Sequence, residues 1–205
     1  MIQVIALGAL AVLLIIATVV APRRKLRTPL APLGLGLRIG LPVLVGSVVG
    51  LKQPAVERAL RVDPHAIARG EVWRLLTGTV VQEGMARTIF ELVVLAVAIR
   101  YVPRVMKVGW ATAIFWGAAL VLNGFAALLG KTVAGSLWAT FALLGAVAGW
   151  GLVRRDHLRW AAPVALVLAV VVWVMGDLHG MAAVLGAVVG AGVAGARGTH
   201  KFARA

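Results

Sequence analysis

The sequence predicts an all-α integral membrane protein, a polytopic helical bundle in a single domain. Of its 205 residues, 61% are hydrophobic and only 14% are charged, whereas about a quarter of the residues of a soluble domain are charged. Seven apolar runs recur along the chain, several of them short for a membrane span. Their bounds are about Ile2–Ala21, Leu35–Leu51, Leu75–Ile99, Val108–Leu129, Thr132–Val153, Trp160–Met175 and Leu178–Ala194. An ordinary soluble globular protein is therefore excluded.

The first two runs have different flanks. No basic residue precedes the first run, and Pro22 and three basic residues follow it. This order predicts an uncleaved span with its N-terminus outside rather than a signal peptide. The second run is short for a membrane span. It becomes long enough if its helix begins near Pro32 and the side chain of Arg38 extends to the cytoplasmic interface.

The basic residues predict the orientation of the bundle. Fourteen Lys and Arg residues fall on one side of the seven spans and six on the other, with Arg87 left inside a span. The positive-inside rule makes the richer side cytoplasmic, so we expect a multi-pass plasma (inner) membrane protein with its C-terminus inside. The formal net charge of +14 is then explained by topology and anionic lipid, without nucleic acid. The chain has no Cys, which excludes disulfides and thiolate sites.

The longest segment between spans, Lys52–Arg74, is predicted to lie outside. Gln53–Leu60 reads as a short amphipathic helix at the interface, ended by Asp63-Pro64. A more specific string follows immediately. It is Gly70-Glu71-Val72-Trp73-Arg74-Leu75-Leu76-Thr77.

This string resembles the loop signature of the rhomboid family of intramembrane serine proteases. The resemblance continues at Phe141–Ala146, which is similar to the segment after the family's catalytic serine, and at His179, which is similar to the histidine of the last core helix. It covers roughly residues 35–195 and implies a six-helix core. Residues 1–34 then form an extra N-terminal span with a basic loop, and 196–205 form a basic tail.

Small residues on two predicted helices suggest close packing. Ala182, Gly186 and Gly190 follow His179 at intervals of 3, 4 and 4, and Gly145 and Gly149 supply a matching stripe on the fifth span. Such stripes let two helix backbones approach closely in lipid. In the rhomboid family this packing brings serine and histidine together. The charge count independently predicts that Ser136 and His179 both lie near the outer ends of their spans.

The chain departs from the family's chemistry on the fifth span. On the alignment through Phe141 and Gly145, the serine position holds Leu137 and the next glycine position holds Trp138. Ser136 is one residue earlier, a rotation of about 100° on a helix. We therefore expect a Ser136–His179 separation too long for a hydrogen bond.

The third span departs as well. Counting from Trp73-Arg74, the family's two histidines and its asparagine fall on Gln82, Arg87 and Glu91. Glu83, Arg87 and Glu91 are spaced i, i+4, i+8, so Arg87 and Glu91 are expected to form an ion pair inside the core. A proton or ion path is the alternative.

The altered site residues predict that the chain is inactive as a protease, and the resemblance then implies a rhomboid-like pseudoprotease that binds transmembrane helices of partner proteins. The resemblance implies a cavity in which Arg87, Glu91 and His179 contact a client helix. Asp177, two residues before His179, can orient its ring, as in a catalytic pair or in an ordinary buried histidine. An active protease using Ser136 and His179 is the first alternative and a small proton-coupled carrier the second. No metal site is expected, since the acids and His179 share no ligand-spaced motif, and no cofactor is expected.

Overall fold

A computed structural model describes residues 8–16, 30–154 and 161–202. These parts of the chain are helical, and β pairing within them is limited to a single bridge between Val62 and Val133. In chain order the helices are α1 (8–16), α2 (Ala31–Lys52), α3 (Pro54–Leu60), α4 (Pro64–Ala68), α5 (Arg74–Thr77), α6 (Met85–Tyr101), α7 (Val108–Leu128), α8 (Leu137–Arg154), α9 (Ala161–Val174) and α10 (Leu178–Phe202).

Three of these helices are long and apolar enough to cross a bilayer. They are α2, α7 and the part of α10 up to Ala196, while α8 and α9 are shorter apolar helices. The all-helical chain is therefore membrane-embedded by length and composition. Most of the predicted first span and the basic segment after it lie outside the described residues.

Helix α8 forms the centre of the bundle and contacts α6, α7, α9 and α10. Every residue of α8 from Ala139 to Trp150 is buried. A helix that is apolar on all sides lies either in the core of a protein or in lipid, and the burial of these residues places α8 in the core of the bundle. Helices α6, α7, α9 and α10 pack around α8, and exposed apolar side chains lie on these four helices and on α2.

The two small-residue stripes lie face to face between α8 and α10. A Cβ atom on Gly145 or Gly149 would lie within 3.0 Å of the backbone of Ala183 or Ala187. Reciprocally, Gly186 and Gly190 of α10 abut the backbone of two alanines of α8. Those alanines are Ala142 and Ala146. The two backbones are in contact along about two turns, which only glycine permits.

The predicted third run is not one continuous helix. Four residues form α5, and the chain then turns through 78–84 before α6 begins at Met85. Gly78 lies so close to Val62 that a Cβ would come within 2.6 Å of its Cγ2. Gly84 adopts φ +76° immediately before α6. The two glycines divide the apolar run, because one permits a close approach and the other a left-handed backbone.

The prediction that Asp63-Pro64 ends the helix over Gln53–Leu60 is wrong. Helix α3 already ends at Leu60, and Asp63 begins α4 as its N-cap. Its carboxylate accepts hydrogen bonds from the N–H groups of His65 and Ala66 at 2.9 and 3.2 Å. Proline at the first helical position removes an N–H that would have no partner. The pair therefore starts a helix instead of terminating one.

Candidate functional site

The loop before α8 is anchored to the segment that precedes α6. Val133 pairs with Val62, and the N–H of Gly135 donates to the carbonyl of Gly78 at 2.8 Å. Gly135 adopts φ +133°, and a Cβ there would lie within 2.9 Å of oxygens of Glu91 and Gln82. Glycine is therefore required at this position, both for its backbone and for the space that it leaves.

Glu91 is the centre of a buried polar cluster. Its side chain has no exposed surface, and it accepts a hydrogen bond from Arg87 Nε at 2.8 Å. The second carboxylate oxygen accepts from the Ser136 N–H at 2.8 Å and from its hydroxyl at 3.3 Å. The expected Arg87–Glu91 pair is therefore present, with one difference. The Arg87 side chain is 43% exposed and extends toward Glu83, 3.8 Å away.

Ser136 is fully buried inside this cluster. Its hydroxyl accepts a hydrogen bond from Gln82 Nε2 at 3.2 Å and donates to Glu91. Its carbonyl accepts from both the N–H and the hydroxyl of Thr140, which begins the hydrogen bonding of α8. Gln82, Ser136 and Glu91 thus form a chain of hydrogen bonds that joins three separate segments.

His179 belongs to a second cluster. Its Nδ1 lies 2.5 Å from a carboxylate oxygen of Asp177, which also accepts the His179 N–H at 2.9 Å. The ring stands edge-on to Trp138 and Phe141, with centroids 6.0 and 5.5 Å away. Its Nε2 is buried and has no hydrogen-bond partner among the described residues. The imidazole is therefore fixed by a carboxylate and enclosed by aromatic rings.

Asp177 lies in the turn between α9 and α10, outside the membrane-spanning helices. Partial burial raises the pKa of this carboxyl group, but the hydrogen bond and charge of the His179 ring lower it. The backbone N–H of His179 acts in the same direction, and the net pKa lies below the ordinary value. Asp177 is therefore ionised near neutral pH and orients the ring in one direction.

The two clusters do not form a nucleophile and its base. A serine hydrolase needs a hydroxyl within hydrogen-bond reach of a histidine, yet the hydroxyl of Ser136 is engaged by Gln82 and Glu91. The free nitrogen of His179 meets no hydroxyl in the described part of the chain. Trp138 packs edge-on against the His179 ring, with the two centroids 6.0 Å apart.

The Gly70–Thr77 string folds the loop between α4 and α6. Arg74 Nε bonds Glu71 at 2.7 Å, and its Nη1 donates to the carbonyls of Arg58 and Arg61. Thr77 donates to the carbonyl of Leu60 at 2.8 Å. Trp73 is 53% exposed beside these contacts. The string therefore fixes the loop through its polar residues and presents an aromatic side chain outward.

One polar residue of the site has no counterpart in the sequence predictions. Asn123 of α7 is buried and donates to the carbonyl of Leu75 at 2.7 Å and to the Thr79 hydroxyl at 3.0 Å. Together with Arg87 and Gly135 it lines a polar cavity of about 10 Å³, the size of about one water molecule. A single Asn within an apolar run of the sequence could have indicated this residue, since a buried side-chain amide needs a hydrogen-bond partner.

Among the described residues, no group of three or more His, Asp or Glu side chains could hold a metal ion. No protein-family model matches this chain, and no curated protein is significantly similar to it.

Proposed function

We propose that this chain is a rhomboid-like membrane protein that does not hydrolyse peptide bonds and instead binds transmembrane helices of partner proteins. The observation that carries the proposal is that the Ser136 hydroxyl and the His179 ring belong to separate hydrogen-bonded clusters. The Ser136 hydroxyl is bonded to Gln82 and Glu91, while His179 is paired with Asp177 and covered by Trp138. The Ser136 hydroxyl therefore lacks the histidine base of a serine–histidine dyad, and misplacement of a catalytic group by even about 1 Å can reduce a rate roughly 100-fold.

The groups that would stabilise an oxyanion are also unsuited to that task. The rhomboid alignment assigns Arg87 and Glu91 to positions where the family has neutral donors. Arg87 is already paired with Glu91 at 2.8 Å, so the carboxylate competes for it and opposes new negative charge nearby. This arrangement supports a structural ion pair in place of a catalytic one.

Two helix faces support the binding of a partner helix. Helices α6 and α9 both pack against α8 but make at most marginal contact with each other. Each exposes apolar side chains along its length, Ile89 and Val93 on α6 and Val167 and Val171 on α9. Arg87, half exposed on α6, adds a polar contact for a client helix that carries polar or helix-breaking residues.

Labelling with a serine-directed fluorophosphonate tests the absence of catalysis. We expect purified protein in detergent to remain unlabelled, as does its Ser136→Ala variant, while a serine hydrolase in the same tube is labelled. Labelling at Ser136 that His179→Ala abolishes would show that the chain is an active protease.

Photo-crosslinking in membranes tests the binding surface. A photoreactive amino acid at Val93 or Val167 is expected to capture membrane proteins of the host. The same amino acid at Leu120 of α7, which is 44% exposed, is the matched control away from the α6 and α9 faces. Equal capture from all three positions would contradict a specific client surface.

A further inference from the structure

An apolar groove lies between α7 and α10, away from both polar clusters. Its volume is about 410 Å³, Ala142 of α8 contributes to its wall, and every lining side chain is apolar or glycine. Trp110, Ala113, Gly117 and Val121 line its α7 wall, and Leu185 and Val189 line its α10 wall. None of these residues takes part in the proposed client surface on α6 and α9.

The dimensions of the groove limit what can occupy it. On α7 it extends from Trp110 to Val121, which at about 1.5 Å per residue is roughly 17 Å. This is close to one leaflet, about half of a hydrocarbon core of about 30 Å. A volume of about 410 Å³ over that length gives a mean cross-section of about 24 Å². A transmembrane helix about 10 Å across has a cross-section of roughly 80 Å², so the groove does not enclose a helix, whereas a thin acyl chain can lie inside it.

The charge at one end of the groove indicates the kind of lipid. Lys107 is exposed and immediately precedes α7, three residues from Trp110 at the end of the groove. It forms no ion pair with the described residues. Arg104 lies in the same connection between α6 and α7, and Arg100 lies in the last turn of α6. An exposed lysine beside a tryptophan is typical of a membrane interface, where it attracts anionic headgroups.

We propose that this groove binds one acyl chain of an anionic phospholipid from the leaflet at the Lys107 end. The chain lies along Ala113 and Gly117, and the lysine contacts the headgroup phosphate. Apolar burial does not favour the groove over bulk lipid, because lipid tails are equally apolar. Preference comes from the headgroup contact, at about 1 kcal/mol per basic residue, which corresponds to roughly fivefold enrichment.

The proposal is tested with a photoreactive phospholipid in vesicles. The full chain is reconstituted with phosphatidylglycerol that carries a diazirine on one acyl chain, and crosslinked peptides are mapped by mass spectrometry. We expect label on residues 113–121 and 185–189 about fivefold above that on the lipid-facing residues of α9. Phosphatidylcholine with the same diazirine should give no such enrichment.

Two glycine variants provide a matched pair. A Cβ on Gly117 or on Gly124 meets no atom within 4 Å, so both sites accept a larger side chain, but only Gly117 lines the groove. Gly117→Leu should remove the enrichment, and Gly124→Leu should preserve it. Lys107→Gln should reduce phosphatidylglycerol labelling to the phosphatidylcholine level.

Three results would overturn the proposal. Equal labelling of the groove and of α9 would indicate bulk lipid only, and equal labelling by the two phospholipids would exclude an anionic preference. A crosslink joining the groove peptides of two copies would indicate a second copy as the occupant. If Gly117→Leu fails to fold, competition on the unmodified protein decides, because unlabelled phosphatidylglycerol should displace the probe and phosphatidylcholine should not.

Discussion

The two side chains of the Arg87–Glu91 ion pair differ in burial, and this difference determines how much stability the protein loses when Arg87 is replaced. Glu91 has no exposed surface, whereas Arg87 is 43% exposed. Arg87→Met leaves a carboxylate buried with only the two Ser136 donors. An uncompensated buried charge costs about 3–5 kcal/mol, and we expect the lower end, about 3 kcal/mol, because the Ser136 N–H and hydroxyl remain.

Replacing both partners should be milder. In Arg87→Met with Glu91→Gln, no charge is buried, and the amide oxygen can still accept the Ser136 N–H. The new amide N–H₂ borders the space beside Gly135 that Gln82 Oε1 also borders, and that oxygen has no hydrogen-bond partner among the described residues. We expect the double variant to lose about 1 kcal/mol, which is about 2 kcal/mol less than the loss expected for Arg87→Met alone.

Thermal unfolding in detergent, followed by circular dichroism, measures these differences. At roughly 2–4 °C per kcal/mol for a chain of this size, Arg87→Met should lower Tm by about 6–12 °C and the double variant by about 2–4 °C. The control is Arg69→Met, because Arg69 is 68% exposed and 3.7 Å from Glu71, and exposed pairs contribute at most about 1 kcal/mol. If Arg87→Met is as mild as Arg69→Met, or if the double variant is no better than the single one, the ion pair does not stabilise the site.

The remaining predictions concern helix packing and a helix cap. Gly186→Leu should prevent folding, because its Cβ would overlap the backbone of Ala142. Gly192→Leu should be tolerated, because no atom lies within 4 Å of the Cβ position there. Size-exclusion profiles in detergent distinguish the two variants. The Ala66 N–H, and with it the N–H of His65, donates to Asp63 and holds the pKa of its carboxyl group below 3.8, although desolvation acts in the opposite direction. A lowered folded-state pKa stabilises the fold above pH 3.8, and this contribution is lost as pH falls through the folded-state value. The Tm difference between the unmodified chain and Asp63→Ala should therefore be constant near neutral pH and shrink below pH 3.8.

Periodic features of this chain could be predicted from the sequence. The spacing of Gly145, Gly149, Gly186 and Gly190 indicated a close helix pair, and these residues lie in the contact between α8 and α10. The i, i+4 spacing of Arg87 and Glu91 indicated their ion pair. Both depend on residues a few positions apart on one helix, and helical geometry alone fixes their relative directions.

Contacts between distant segments could not be predicted in this way. Ser136 lies 45 residues from Glu91 and 54 from Gln82, and no local pattern indicates that a loop will cover that face of α6. The break at 78–84 depends on Val62, which fills the space beside Gly78. Only the tertiary arrangement determines which apolar run is interrupted and which buried polar groups become partners.

The enclosure of α8 has a consequence for biosynthesis. This helix leaves the ribosome before α9 and α10, yet its glycine and alanine face acquires a partner only when α10 has been made. Until then that face meets lipid, which offers small residues little packing. A nascent chain halted before Leu178 would therefore present an unfinished surface that chaperones and quality-control proteases of the membrane can recognise. Synthesis of α10 is therefore the step at which the glycine and alanine face of α8 becomes covered.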